Sequence, residues 1–248
     1  MSKEIRIQVG IDDISWRPEQ AIWSIIRQVD ILVTYGFYLD MFMPYALRRH
    51  DHERTYCIND NSGFIGEVKR LKLEYKNNVR FFPHGYHHSA EGISVNDEFL
   101  YVPYNQLFNR LGLIMKCDLY DHSTFRPPGW KISREGASAL EGMGYKNLCL
   151  LRKYRDMGMY DTFMDTTKLN LHWCDYSPPD LPLNIEEVIE RGRLDVTYHC
   201  ATFLDNHLTT QKALELCSFV DTLKTMGYTP VFESASNIDY KEYGKNQQ

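Results

Sequence analysis

The chain opens with a strict apolar/polar alternation. Ile5-Arg6-Ile7-Gln8-Val9-Gly10-Ile11 has the two-residue period of a strand and runs into Asp12-Asp13. Pro18 and Glu19 then begin a helical pattern carried by Ile22, Ile25, Ile26 and Val29. A second strand is expected over 36–43, stopped by Pro44, and a helix over 63–75, where Val68, Leu71 and Leu73 alternate with charged residues. The apolar run Val79-Arg80-Phe81-Phe82 reads as a strand. A helix over 104–116 follows, with Leu107, Phe108, Leu111 and Ile114 at helical spacing. A short segment at Ser123-Thr124-Phe125 leads into Arg126-Pro127-Pro128-Gly129-Trp130. Further on, helices are expected over 133–143 (closed by Gly144), 185–190 (ending at Gly192) and 210–226. Strands are expected over 145–151, 169–173, 194–198 and 228–232, and a polar, frayed tail from Asp239.

Strands and helices thus alternate with short joins, and no Gly/Ser/Pro-rich linker, internal repeat or low-complexity stretch divides the 248 residues. This predicts one α/β domain over 1–248 with a mostly parallel sheet. Seven or eight strands in this length fit a distorted (β/α) barrel of about seven parallel strands, TIM-like, and no Gly-rich dinucleotide turn follows the first strand.

Composition narrows the function more than the fold. A net charge of −5 with no Lys/Arg block argues against a nucleic-acid partner. The six cysteines form no CxxC pair, which disfavours a zinc ribbon or redox dithiol; they read as small buried hydrophobes. No apolar run approaches the ~20 residues of a membrane span, and Met1-Ser2-Lys3-Glu4 leads straight into the first strand, so a cytoplasmic location is expected. Oligomeric state is not legible.

The candidate chemistry lies at strand ends. His84, His87 and His88 crowd into five residues after the strand at 79–82, and His84 and His88 stand at i and i+4, so one helical turn or tight loop could aim both imidazoles at one ion. Asp12-Asp13, His84/His88, Arg126 and His199 each close a different expected strand, and in a barrel those ends converge on one face. A carboxylate and two imidazoles suit a zinc-like divalent ion, with Asp13 as third ligand. Consecutive strand side chains point apart, which leaves Asp12 as a general base.

These residues resemble the motifs of the polysaccharide deacetylase superfamily, the family four carbohydrate esterases with their nodulation-type chitooligosaccharide deacetylase domains. That family carries an Asp-Asp pair, His-x-x-x-His, an Arg-x-Pro-x-Gly-like segment and a late Leu-x-His. The resemblance spans about residues 5–232. It implies a seven-stranded distorted barrel, one divalent ion (most simply Zn2+), and hydrolysis of an N-acyl, most simply acetyl, group on a sugar or glycan by a metal-activated water. On it, Asp12 corresponds to the base, Asp13, His84 and His88 to the ligands, His199 to the late acid, and Arg126 to the residue that orients Asp12. Trp130, Pro128 and Tyr86 become the candidate substrate-binding residues. Four departures stand out: Ile14 after the Asp pair, Gly85 where the family has Ser or Thr, a segment from Arg126 to Gly129 one residue short, and Thr197 in place of Leu. Trp173 and Asp175 are the nearest candidates for a further motif. Two other classes compete: a non-catalytic glycan-binding barrel, and a glycoside hydrolase with a carboxylate pair. The substrate expected is a carbohydrate or another acylated small molecule.

Overall fold

The computed structural model of the chain describes residues 3–17, 20–48, 55–87, 97–174, 184–202, 204 and 206–237. The expected helix start at Pro18-Glu19, His88, Asp175 and the tail from Asp239 lie outside the described residues. In chain order the elements are β1 (Lys3–Asp12), α1 (Ile26–Tyr35), β2 (Leu39–Met43), β3 (Ala46–Arg48), β4 (Thr55–Cys57), α2 (Ser62–Glu74), β5 (Val79–Pro83), α3 (Glu98–Tyr101) and α4 (Tyr104–Ile114). There follow β6 (Thr124–Phe125), α5 (Arg134–Gly142), β7 (Asn147–Leu151), α6 (Arg152–Asp156), β8 (Asn170–Cys174), α7 (Ile185–Arg191), β9 (Arg193–His199), α8 (Thr210–Thr225) and β10 (Tyr228–Glu233). Among the described residues, no helix is long and apolar enough to cross a membrane.

β1 is the hub. One edge pairs in parallel with β9, from Arg6↔Arg193 to Asp12↔His199. The other edge takes β10 along Lys3–Gln8 and then β2 along Val9–Ile11, and β2 continues to β5. β6, β7 and β8 form a second parallel sheet, and β3 and β4 a small antiparallel hairpin. The single barrel of about seven strands is therefore not met by one continuous ladder; five strands and three strands form separate sheets. The break has a local cause: β6 is two residues long, so its segment meets β5 through isolated bonds, Asp121 N–H to Phe81 O (2.7 Å) and Arg126 N–H to Pro83 O (3.3 Å). What does hold is the parallel α/β class.

The two-residue period sorts the side chains. Ile5, Ile7, Val9 and Ile11 of β1, Leu194, Val196 and Tyr198 of β9, and Leu148 and Leu150 of β7 join the main apolar core. The alternate positions face the other way. Gln8 donates to Asp40 (2.9 Å), Arg193 pairs with Asp195, and Phe42, Phe82, Cys149, Cys174 and Trp130 form a second buried cluster fed by both sheets. The helices close as their sequences imply. Thr209, Ser133 and Asn184 accept from backbone N–H groups as N-caps, and Gly192 and Gly227 leave α7 and α8 with φ of 66° and 86°. The β3–β4 pair, α3 and α6 are not legible in the sequence, being shorter than the window over which a period can be read.

Candidate active site

Asp12 is the last residue of β1 and fully buried. Asp13 follows in the left-handed region, φ 64°, which a short polar side chain tolerates better than most. This reversal turns the two carboxylates apart, a different cause from the expected strand alternation, because Asp13 already lies beyond the strand.

Arg126 enters from the loop after β6, itself fully buried, and its Nη1 donates to Asp12 Oδ1 at 2.5 Å. Nη1 also reaches Thr197 Oγ1 (3.3 Å), and Nη2 reaches Cys174 Sγ (3.4 Å). The guanidinium lies 3.7 Å over the Phe42 ring and 4.9 Å from the Trp130 ring centre. Burial works against its charge, but Asp12 and the neighbouring cysteines more than offset this and hold its pKa above the ordinary range. Gly10 makes the approach possible: a Cβ there would stand 2.7 Å from Nη1 and 2.9 Å from Nη2. Asp12 Oδ2 is taken by Trp130, whose indole Nε1–H donates at 3.0 Å. Gly129 and Trp130 both have positive φ, and Tyr160 Oη donates to the Trp130 carbonyl (2.5 Å), fixing the turn that aims the indole.

His84 directly follows β5 and is buried. Its Nδ1 lies 2.9 Å from the Arg126 carbonyl, which can only accept, so Nδ1 carries a proton. Nε2 faces Asp13 Oδ1 at 3.5 Å. From the last residue of β9, His199 brings Nε2 within 4.0 Å of Asp13 Oδ2; its Nδ1 is buried and meets no hydrogen-bond partner among the described residues. After His84 the chain bends, with Gly85 at φ 81°, so its described part is a loop and not a helical turn. Asp12, Asp13, His84, Arg126 and His199 thus meet at the ends of β1, β5, β6 and β9.

The candidate substrate-binding residues are arranged differently from expectation. Trp130 is only 5% exposed, with one ring face toward Arg126 and its edge on Asp12, so it serves the carboxylate and offers little open platform. Pro128 is buried against Gly85. Tyr86 is half-buried against Tyr45, ring centres 5.2 Å apart. Of the further-motif candidates, Trp173 packs on Tyr160, and its neighbour Cys174 is the one that touches Arg126. Sequence reasoning missed Gly10, Cys174 and Glu98. A glycine inside a strand is a signal of close backbone approach and could have flagged Gly10; nothing marked the other two.

Two of the described donors fit a divalent ion: an imidazole with Nδ1–H held by a carbonyl and Nε2 aimed at a carboxylate is oriented as a metal ligand would be, and two ligands about 2.0–2.1 Å from a tetrahedral ion stand roughly 3.4 Å apart, against 3.5 Å here. Among the described residues no group of three or more His, Cys, Asp or Glu gathers to hold an ion; His88, the expected third ligand, lies outside them.

No family model matches the chain, and no curated protein does. Solved structures do share its fold. A family 4 carbohydrate esterase from Streptomyces lividans aligns over 94% of this chain and 95% of its own at TM-score 0.50 and 10% identity. A Mycobacterium smegmatis protein described as a polysaccharide deacetylase aligns over 94% of both chains at TM-score 0.52 and 12% identity. The 4-alpha-glucanotransferase of Thermococcus litoralis covers 99% of this chain at TM-score 0.54 and 11% identity, and this chain spans 41% of that enzyme. At such identities the likeness is one of fold.

Proposed function

We propose that the protein is a divalent-metal-dependent hydrolase that removes an N-acyl group, most simply acetyl, from a sugar or glycan. The observation that carries this is the division between adjacent aspartates: Asp12 is clamped by Arg126 and Trp130, while Asp13 faces the Nε2 atoms of His84 and His199. The fold shared with a carbohydrate esterase and a deacetylase supports it, and so does reading the two sheets as one opened barrel whose interior side chains meet at Arg126.

Asp13, His84 and His88 would hold the ion. When bound, it would polarise the amide carbonyl and lower the pKa of a water beside it. Asp12 accepts the proton that the attacking water loses as its oxygen bonds to the acyl carbon; Arg126 and Trp130 keep the carboxylate in one orientation. Thr197 and Cys174 hold Arg126 itself in place. As the C–N bond breaks, the amine needs a proton, and His199, on the same rim, is the imidazole placed to supply it.

The test is hydrolysis of N-acetylated chitooligosaccharides and monosaccharides by purified protein, with and without chelator. Activity should vanish with chelation and return with Zn2+. Asp12→Asn should lower kcat on the order of 10²-fold or more while the Zn2+ content stays at the wild-type level. Loss of the ion in that variant would exchange the roles of the two aspartates. Activity on glycosidic bonds that survives chelation would favour the second reading, a carboxylate-pair reaction on sugars, which the likeness to a glucanotransferase keeps open.

A further inference from the structure

Glu98 takes no part in the reaction above, yet it is fully buried, and among the described residues its side-chain oxygens accept from the histidine loop and from Arg110. Its Oε2 accepts the backbone N–H groups of Tyr86 (2.9 Å) and His87 (3.3 Å), and its Oε1 accepts from Arg110 Nη1 (2.8 Å). Arg110 also lies 5.7 Å over the Tyr86 ring. The short helix that carries Glu98 is tied to the Asp12-clamping loop: Asp97 pairs with Lys131 (2.9 Å), and the Phe99 carbonyl accepts from Ser133 N–H (3.0 Å).

The same contacts account for Gly85. A Cβ at Gly85 would lie 2.7 Å from Glu98 Oε2 and 2.5 Å from Pro128 Cγ, and φ is 81°. A serine or threonine cannot stand there, because the space it would use is filled by the glutamate and the proline ring. A carboxylate from outside the loop therefore binds the backbone N–H groups of Tyr86 and His87, two of the three residues between His84 and His88.

We propose that Glu98, held by Arg110, is a positioning residue that sets the backbone of the histidine loop and thereby the metal affinity of the site; the metal part rests on the function proposed above. One carboxyl oxygen binds two N–H groups in a buried setting while the Arg110 guanidinium holds the other, a charge-assisted arrangement. Tyr86 and His87 follow His84 within three residues, so fixing their N–H groups fixes the chain that leaves His84, whose Nε2 faces Asp13. Gln at position 98 keeps the shape but has one acceptor oxygen, so either Arg110 or the two N–H groups must lose their partner.

The experiment uses full-length wild type, Glu98→Gln, Glu98→Ala and Arg110→Met, with folding checked by circular dichroism. Amide hydrogen exchange is read at Tyr86 and His87, and Zn2+ affinity by competition with a chromophoric chelator. The expected result is strong protection of both amides in wild type, lost in Glu98→Ala, and Zn2+ affinity about 10- to 100-fold weaker in folded Glu98 variants. The visible spectrum of the Co2+-loaded protein should change as well, which a loss of stability alone would not produce. Wild-type exchange at both amides in folded Glu98→Ala overturns the clamp. Lost protection with unchanged Zn2+ affinity overturns the link to the site. A wild type that binds no Zn2+ would refute the metal reading, while the exchange data still decide the clamp. Should Glu98→Ala fail to fold, Arg110→Met decides: unchanged exchange and Zn2+ affinity there would overturn the proposal.

Discussion

At the scale of single residues, the site depends on one missing side chain as much as on those present. Gly10 lies under the Arg126 guanidinium, and the guanidinium cannot retreat, because Phe42 covers it and Asp12, Thr197 and Cys174 hold its nitrogens. Gly10→Ala should therefore cost about 1–3 kcal/mol by overpacking, measured as a shift in the urea midpoint. It should also separate Arg126 from Asp12 and lower kcat by a factor comparable to that of Arg126→Lys. Full activity in a folded Gly10→Ala protein would mean that the ion pair tolerates displacement.

At the scale of elements, function sits at strand ends while stability is spread over the helices. α8 packs Ala213, Leu216, Val220 and Leu223 into the core, and its first turn is capped by Thr209 Oγ1 accepting from Lys212 N–H at 3.1 Å. Thr209→Ala should lower stability by about 1 kcal/mol with kcat unchanged, checked by denaturation and assay side by side. A change in kcat would show that the end of β9, eleven residues before this helix begins, is coupled to its cap. The elements that sequence periodicity missed, the β3–β4 pair, α3 and α6, are the short ones. α3 shows why that matters, since four residues suffice to carry Glu98.

At the scale of the whole molecule, the inward-facing side chains make an unusually polar interior, and this predicts acid sensitivity. His172 is buried, and burial first, then the charges of Arg193 and Arg126, hold its pKa well below the ordinary histidine value. The unfolded chain takes up a proton there once pH falls below ~6.5 and the folded protein does not, so this contribution is fully present above that pH and is lost as pH falls, by up to about 1.4 kcal/mol per unit. Burial pushes the Asp40 and Glu98 carboxyls up, which works in the opposite sense: their contribution is lost as pH rises. Comparing wild type with His172→Asn isolates the histidine. Between pH 7 and 5 the wild type should lose more stability than the variant, and parallel losses would show that His172 becomes protonated in the folded state.

The sequence by itself determined the parallel α/β class, most element positions, and the gathering of Asp12, Asp13, His84, Arg126 and His199 at the ends of separate strands, because alternation and strand termination are local properties. It could not determine whether the ladder closes, since that depends on β6 being too short to pair along its length with β5. Nor could it decide which partners each polar group meets. Trp130 reads along the chain only as a candidate substrate-binding residue, and packing makes its indole a donor to Asp12, at a turn of two consecutive positive-φ residues. Thr197 and Gly85 read as departures from a motif and proved to be fitted to Arg126 and Glu98. Hydrogen-bond partners 71 and 12 residues apart are set by packing in three dimensions, and no pattern along the chain encodes them.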